Sequence, residues 1–536
     1  MELRALPNSA LPKLAWVAQV NRTNRIVTLQ HGPFVQARRS FFIEGVWNGP
    51  FESGDFGETD CIFGSGGILS DDSIRFVTSA STTDYLYSAE APGEVTVSNS
   101  LPLLLACMRD SLDPRCQEYP EICDSIMKGI NDYRRDIPTK CGTVRRLMYR
   151  NLDVSAEKIS ESDKKMPPSF KSFEDYRDYL RDNYARIVAN ARDEARTQSL
   201  DIWSTQSKGY DSTAVNAMAR EFGIDKVFTV SKAKSIHHLA HNDTGILPDD
   251  DGGEICQLLG LNCTRINRHA FADEFDDEYL YYCALHQNQD ANLKEISLHV
   301  SKVGILLTGT LGEIWYTKHC LGKRAFLDSE MRRWDLGGHG MAELRLVVGF
   351  IHLPLPYIGG RRKTDIVNIT ESSAMDPWRL RNGYDRPIPR RIAEEAGVPR
   401  LAFGQSKMGS VVLFSKPSIP YGTALRVEFF DYLVSEKIMA SYEALLWPVV
   451  RWVNSMLILK SERRFAVIHY TERVIAKLTR REFHFKLRWS KLEGALFCFC
   501  VNRTAQALCQ VLLRAWMTSD ELPVKSGTGN TLQRMG

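Results

Sequence analysis

The sequence of 536 residues lacks the features that identify several classes of protein. Its twelve cysteines include no Cys-x-x-Cys pair, which argues against a structural zinc site or a disulfide framework and favours a reducing, cytoplasmic location. The first twenty residues contain no long apolar core, so no signal peptide is expected. The net charge of +3 is too small for this length to indicate nucleic acid as a partner.

A membrane-spanning helix is also not expected. The most apolar segment, residues 442–460, contains Glu443, Pro448 and Arg451, whereas a span needs about twenty largely uncharged residues. We interpret the segment as a buried or interfacial helix. The content of 43% hydrophobic and 25% charged residues is that of an ordinary globular protein, and the length predicts two or three domains.

The first third of the chain contains many short strand patterns. Residues 13–20, 25–30 and 94–100 alternate or run apolar, are rich in β-branched residues, and lie between glycine-rich turns. They predict a mostly antiparallel β domain, followed by a helix that Ser100 caps. The charged residues 153–172, with a Pro-Pro pair, predict a linker.

Strands and helices alternate after this linker. Apolar runs at residues 200–204, 226–231 and 303–310 are separated by amphipathic helix patterns. This alternation predicts βαβ units and a parallel sheet. From about residue 425 the chain is helical, basic and rich in aromatic residues.

The connection after the first of these strands, residues 207–213 with the sequence SKGYDST, has the composition of an anion-binding loop. Ligands of open α/β sheets lie at the carboxyl ends of the strands, and the N–H groups that begin a helix attract anions. Gly209 would let the backbone approach a phosphate, Lys208 would add positive charge, and Asp211 could hold a magnesium ion. Hydroxyl donors are available from Ser207, Ser212 and Thr213.

A simpler interpretation of this loop stays open. Asp211 or Ser212 could cap the following helix while Gly209 makes the turn, because short polar side chains favour helix N-termini. Short motifs of this kind also arise by chance.

The order Ser-x-Gly-x-Asp-Ser resembles the pyrophosphate loop (PP-loop) of the N-type ATP pyrophosphatases, usually Ser-Gly-Gly-x-Asp-Ser. The Gly-Lys-Ser/Thr ending of the Walker loop is absent. The resemblance implies that residues 207–213, Tyr210 among them, bind the pyrophosphate of ATP while a carboxylate attacks the α-phosphate to give an acyl-adenylate. Lys208 stands where the family has a glycine.

A second segment, VGILLTGTLGEIWY, resembles the strand and acidic loop of the asparagine synthetase family, usually Leu-Ser-Gly-x-Gly-x-Asp-Glu. The resemblance implies that Gly309 lies near ATP and that Glu313 binds magnesium together with Asp211. Only one carboxylate of the family's pair remains here, and an ordinary turn after a strand is the alternative.

A third segment, residues 384–409, resembles a synthetase stretch that ends in a lysine. In the β-lactam synthetase branch this lysine stabilises the negative charge that develops during ring closure, and the matching residue is Lys407. Four charged residues within the segment also fit an exposed helix face with paired charges: Arg390, Arg391, Glu394 and Glu395.

The glutaminase domain of this family carries its nucleophile as an N-terminal cysteine. Here the chain begins Met1-Glu2-Leu3, and the next cysteine is Cys61. The strand-rich pattern nevertheless resembles that domain. We therefore expect a glutaminase-like scaffold without glutamine hydrolysis, as in the β-lactam synthetases.

These resemblances imply an α+β glutaminase-like β-sandwich domain over residues 1–165 and an α/β PP-loop parallel-sheet domain over residues 172–425. A helical extension over residues 426–536 would follow. The implied function is an AMP-forming ligase that activates a small-molecule or peptide carboxylate with ATP and Mg²⁺ and forms an amide. A non-catalytic homologue that binds nucleotide or a partner is the alternative, and a homodimer is left open.

Overall fold

The structure is a computed structural model that describes residues 1–230, 250–267, 276–287, 289–318, 330–381, 384–405, 419–442, 444, 474, 477–479 and 492–518. The strands are β1 (Glu2–Pro7), β2 (Trp16–Asn21), β3 (Ile26–His31), β4 (Gln36–Ala37), β5 (Phe41–Trp47), β6 (Ile62–Leu69), β7 (Ser73–Val77), β8 (Leu86–Ala91), β9 (Glu94–Ser98), β10 (Asp136–Pro138), β11 (Thr143–Leu147), β12 (Asn151–Ser155), β13 (Ile159–Ser162), β14 (Asp201–Gln206), β15 (Lys226–Val230), β16 (Cys263–Ile266), β17 (Gly304–Thr308) and β18 (Phe350–Pro354). The helices are α1 (Leu101–Met108), α2 (Tyr119–Asp124), α3 (Phe173–Ala191), α4 (Tyr210–Ala219), α5 (Gly253–Leu258), α6 (Glu278–Tyr281), α7 (Ile296–His299), α8 (Leu344–Val348), α9 (Lys363–Glu371), α10 (Pro387–Glu395), α11 (Thr423–Ser435) and α12 (Leu492–Thr518).

Two sheets that share one core form the first part of the chain. One has the order β1-β3-β2-β9-β8-β11-β10 and is antiparallel apart from the β1–β3 pair, and the other has the antiparallel order β13-β12-β7-β6-β5-β4. Trp16 of the first sheet stacks on Phe76 and meets the edge of Phe42, both from the second sheet. The predicted antiparallel β region is confirmed, and so is the helix after it, because the Ser100 hydroxyl accepts from the Leu103 N–H.

The predicted linker over residues 153–172 is wrong in its first half. β12 and β13 lie there and pair with each other, and β12 also pairs with β7. The charges that suggested a linker belong to strand ion pairs: Glu161 contacts Arg135 and Arg145, each at 2.5 Å. Only the segment between β13 and α3 connects the two regions, and α3 begins with a Ser172–Asp175 capping box.

A five-stranded parallel sheet follows, in the order β16-β15-β14-β17-β18. The chain builds outward from β14 through β15 to β16, and then crosses to the other side of β14 to add β17 and β18. The direction of winding therefore reverses between β14 and β17. In open parallel sheets this reversal opens a crevice at the carboxyl ends of the two strands. The predicted parallel sheet is confirmed, and β18 is an addition to it.

A buried charged cluster joins the antiparallel region to the parallel sheet. Arg345 donates to the Glu44 carboxylate at 2.9 and 3.1 Å and contacts Asp84 at 2.7 Å, and none of the three side chains is more than 3% exposed. The nearby Glu343 accepts from the Ser100 hydroxyl and the Leu101 N–H, and so supplements the cap of α1.

Helix α12 packs against α1 and α2, near the first sheet region. Its Asn502 donates to the Leu112 carbonyl at 3.0 Å and accepts from the Leu112 N–H at 2.8 Å. Residues 492–514 are long and apolar enough to span a membrane, but half of the apolar window is buried inside the protein. Core helices meet the same criterion, so this helix is weak evidence for a membrane span.

Candidate functional site

The two loops that the sequence singled out lie side by side at the switch point of the parallel sheet. The loop 207–213 comprises the connection from β14 and the first four residues of α4, and the loop 309–313 follows β17. Their backbones are so close that a Cβ at Gly312 would lie 2.2 Å from Asp211 Cγ, and one at Gly309 would lie 2.6 Å from Asp211 Cβ. Both glycines are therefore required by this close approach, and the contact of Gly309 with ATP stays a prediction.

Hydrogen bonds within the loop fix its shape. The Ser212 hydroxyl accepts from the Ser207 N–H at 3.0 Å, and the two hydroxyl oxygens lie 3.0 Å apart. The Ser207 hydroxyl accepts from the Gly209 N–H at 3.1 Å, and the Thr213 hydroxyl donates to the Gly209 carbonyl at 2.8 Å. The N-cap of α4 is Gly209 with no side-chain bond, so the capping role considered for Asp211 or Ser212 is wrong.

Neighbouring segments hold the loop from outside. The buried Asp250 accepts from the Lys208 N–H at 2.9 Å, and the Lys208 carbonyl accepts from the Gly404 N–H at 2.8 Å. Gly404 has φ +64, and a Cβ there would lie 2.5 Å from the Tyr210 ring. The Tyr210 hydroxyl donates to the Tyr384 carbonyl at 3.1 Å. The loop is thus a supported structure rather than a surface turn.

An arginine that the sequence analysis did not single out binds the central carboxylate. Arg386 Nη1 donates to both carboxylate oxygens of Asp211, at 2.6 and 2.7 Å. The guanidinium carbon lies 3.7 Å from the ring centroid of Tyr316 and 4.9 Å from that of Tyr384. Arg386 is 1% exposed and Asp211 25%. Burial lowers the pKa of Arg386, but the Asp211 charge and hydrogen bond together with Tyr316 and Tyr384 outweigh it and raise that pKa, so the guanidinium keeps its charge.

The second terminal nitrogen of this guanidinium has no acceptor. Within the described part of the chain, Arg386 Nη2 is buried without a hydrogen-bond partner. Buried donors are nearly always paired, and an orphan at a candidate site marks a position for a ligand atom or an ordered water.

The second predicted metal ligand also contacts a buried arginine. Arg333, which is 3% exposed, contacts Glu313 at 3.3 Å, Asp335 at 2.8 Å and the Gly337 carbonyl at 2.6 Å. Among the described residues, no three His, Cys, Asp or Glu side chains are grouped so that they could hold a metal ion. The magnesium role of Asp211 and Glu313 stays a prediction, and each carboxylate has an arginine partner in this structure.

The segment that ends in Lys407 is described only up to residue 405, so Lys407 lies outside the described residues. Within it, the interpretation of residues 390–395 as an exposed charged face is wrong for Arg390. This side chain is wholly buried and donates to the Tyr210 hydroxyl at 2.5 Å. The expected i,i+4 pairs are both present, Arg390–Glu394 at 3.3 Å and Arg391–Glu395 at 2.6 Å.

The sequence contained a signal for Arg386. It follows Asp385 in the stretch that resembles the synthetases, where the family pattern has a basic residue in the same place. No residue-type rule connects it to Asp211, because 175 positions separate the two.

No protein-family model matches this chain, and no curated protein matches it. The resemblance to the asparagine synthetase family therefore rests on the motifs and their positions.

Proposed function

We propose that the protein binds ATP at the switch point of its parallel sheet and uses it to activate a carboxylate as an acyl-adenylate. The observation that carries this proposal is the position of the loop 207–213. It leaves the carboxyl end of β14, opens α4, and faces the loop that follows β17. This is where parallel α/β sheets bind nucleotides.

The groups around the loop suit the pyrophosphate of ATP. Helix α4 has ten residues, and the positive end of its dipole faces the crevice. Gly209 has room for close approach, since a Cβ there would meet only the Ser207 hydroxyl, at 3.2 Å. Arg386 Nη2 offers a buried donor without an acceptor among the described residues. Phosphate oxygens would satisfy this donor and the first helical N–H groups together.

The proposed reaction has two steps. The substrate carboxylate oxygen attacks the α-phosphorus and pyrophosphate leaves, and a nitrogen nucleophile then attacks the acyl carbon and AMP leaves. Lys407 would stabilise the charge that develops in the second step, as a fixed cation in a site shielded from water can. The antiparallel region would be the glutaminase-like scaffold, and a cytoplasmic location belongs to the same proposal.

We expect no hydrolysis of glutamine by this scaffold. Cys61 is fully buried, and burial together with the nearby Asp60 charge raises the pKa of its thiol. A nucleophilic cysteine needs the opposite, a lowered pKa and an accessible thiolate. The check is glutamate release from glutamine by purified protein, and release that disappears in Cys61→Ala would contradict the proposal.

A second candidate is a homologue that binds nucleotide without catalysing ligation. The specific observation in its favour is that the two predicted metal carboxylates, Asp211 and Glu313, each contact a buried arginine. Lys208 in place of the family's glycine points the same way.

Exchange of labelled pyrophosphate into ATP tests the proposed function. We expect exchange with a suitable acid, assayed over a panel of carboxylates. Gly404→Ala should lower it strongly, because the new methyl group would collide with the Tyr210 ring beneath the loop. Gly397→Ala is the matched control, since Gly397 also has a positive φ, +91, but open space around it. ATP binding without exchange for any acid would favour the second candidate.

A further inference from the structure

We propose that Arg386 takes the place of a magnesium ion at Asp211 and that its Nη2 binds a phosphate oxygen of the nucleotide directly. This inference rests on the proposed ATP site and names the group that recognises its phosphates. It also changes the expected cofactor requirement, because nucleotide binding would not need a cation at Asp211.

The geometry at Asp211 does not fit a metal ligand. Both of its carboxylate oxygens lie within 2.7 Å of Arg386 Nη1, and Gly312 covers another side of the carboxylate. Magnesium demands near-octahedral oxygen ligands at about 2.0–2.1 Å, which this carboxylate would reach only by leaving the guanidinium. Glu313, the other predicted ligand, is engaged with Arg333.

Arg386 is fixed rather than placed there incidentally. Its guanidinium packs against the rings of Tyr316 and Tyr384, and only 1% of its side chain is exposed. Leaving Asp211 would turn it into a buried charge without a partner, which is strongly unfavourable. A charge held in this way serves the purpose of a bound cation, since it offsets the carboxylate and is always present.

The two ends of the guanidinium then have separate tasks. Nη1 neutralises Asp211, the second residue of α4, so that the carboxylate does not repel an anion at the helix N-terminus. Nη2, which lacks an acceptor within the described chain, remains to donate to a phosphate oxygen. Arginine suits this arrangement because its planar fork presents several donors in fixed directions.

Calorimetric titration of the full chain with ATP and with inorganic pyrophosphate tests the inference, in buffer with Mg²⁺ and in buffer with EDTA. We expect the wild type to bind in EDTA as tightly as in Mg²⁺, within about threefold. Arg386→Gln should lose about tenfold to a hundredfold of its affinity in EDTA, the scale of one charge-assisted hydrogen bond. Mg²⁺ should restore part of this loss, because Asp211 is then free to bind the ion.

Two further variants keep the test decisive. Asp211→Asn removes the carboxylate charge with little change in shape and should leave binding in EDTA intact or tighter, whereas a magnesium ligand would lose binding. Arg391→Gln is the control, in the helix α10 that begins directly after Arg386. The Arg391 guanidinium carbon lies 3.9 Å from the ring centroid of Phe173, and this variant should bind as the wild type does.

The outcomes separate the inference from the proposed function. Wild-type binding only with Mg²⁺, abolished in Asp211→Asn, overturns the inference and leaves the ATP site standing. Arg386-dependent binding of pyrophosphate without any binding of ATP supports the anion site and overturns the ATP assignment. Binding of neither ligand in either buffer overturns both. Unchanged affinity in folded Arg386→Gln overturns the inference alone.

Discussion

Two buried arginines, Arg345 and Arg386, each pair with carboxylates, but their surroundings differ. Both terminal nitrogens of Arg345 donate to the Glu44 carboxylate, at 2.9 and 3.1 Å, and its Nε lies 2.7 Å from an Asp84 oxygen as an ion pair without hydrogen-bond geometry. Glu44 and Asp84 are both almost fully buried. Arg386 uses one nitrogen for Asp211, which is 25% exposed, and its Nη2 has no acceptor in the described chain.

The difference separates a pair that stabilises the fold from a pair at the candidate site. The Arg345 cluster is closed, because its charges are spent on one another at the junction of the antiparallel region and the parallel sheet. The Arg386 pair is open, because Nη2 has no acceptor in the described chain and Asp211 is partly exposed. The pair lies at the carboxyl ends of parallel strands, where we propose that a phosphate binds. Burial alone would give the two arginines the same role. They are separated by the terminal nitrogen of Arg386 that has no acceptor in the described chain and by the partial exposure of its carboxylate partner.

The largest effect is expected from removing the arginine of the closed cluster. Arg345→Met leaves Glu44 and Asp84 buried without a cation, and breaking such a pair costs about 3–5 kcal/mol. Arg386→Met should cost clearly less, because water can reach the partly exposed Asp211. The shift of the urea midpoint measures both. Equal destabilisation by the two changes would contradict the distinction between a closed and an open pair.

A pH effect should follow from Glu343 beside the closed cluster. Burial raises the pKa of this carboxyl to about 7, against the opposing effects of Ser100, the Leu101 N–H and Arg345. Because the pKa of Glu343 is raised, the folded protein keeps this proton at pH values where the unfolded chain has lost it. The stabilisation that this group contributes is therefore complete below about pH 4.5 and is lost as the pH rises through 7.

Glu343→Gln should flatten this dependence. The amide imitates the protonated acid, so the variant should match the wild type near pH 5 and exceed it near pH 8 by on the order of 2–3 kcal/mol. Urea unfolding at several pH values provides the measurement. A wild-type stability that does not fall between pH 5 and 8, relative to the variant, would show that Glu343 is ionised in the folded state.

The smallest effect is expected at the open pair, from a substitution of neighbouring Gly312 that leaves both Asp211 and Arg386 in the sequence. In Gly312→Ala the new Cβ would lie 2.2 Å from Asp211 Cγ and displace its carboxylate from Arg386. We expect about tenfold weaker ATP binding, about 1.4 kcal/mol, because a carboxylate that Arg386 no longer neutralises would repel the phosphates.

Gly360→Ala is the control for that change. Its Cβ would meet neighbouring side chains at ordinary distances of 3.5–3.6 Å, so it should bind ATP normally. Similar affinities for the two alanine variants would indicate that the Asp211–Arg386 contact does not contribute to nucleotide binding.

Hydrophobic periodicity predicts most of the strands and helices of the fold. The runs that became β14, β15 and β17 are continuous and apolar because the sheet buries both of their faces, and the amphipathic repeat of α3 is long and capped. β18 is not predicted, because its five residues include His352 and Pro354 and so form no continuous apolar run. The strands β12 and β13 were missed because their charges pair across strands, which no local pattern reveals.

The candidate site was predictable in its loops but not in its partners. Composition pointed to residues 207–213, since glycine and hydroxyls near a strand end are local signals, whereas Gly309 came from the resemblance of its segment to the asparagine synthetase family. Arg386 and Asp250 reach the loop from distant segments, and only the tertiary fold brings them there. The sequence therefore predicts the loop, whereas the charged residues that contact it are known only from the structure.

The decisive experiment is a structure determined with ATP bound, in EDTA. We expect the phosphates at the N-terminus of α4, with a phosphate oxygen within hydrogen-bond distance of Arg386 Nη2 and the Arg386–Asp211 pair still in place. Nucleotide bound elsewhere, or phosphates at α4 with Arg386 withdrawn from Asp211, would contradict this expectation.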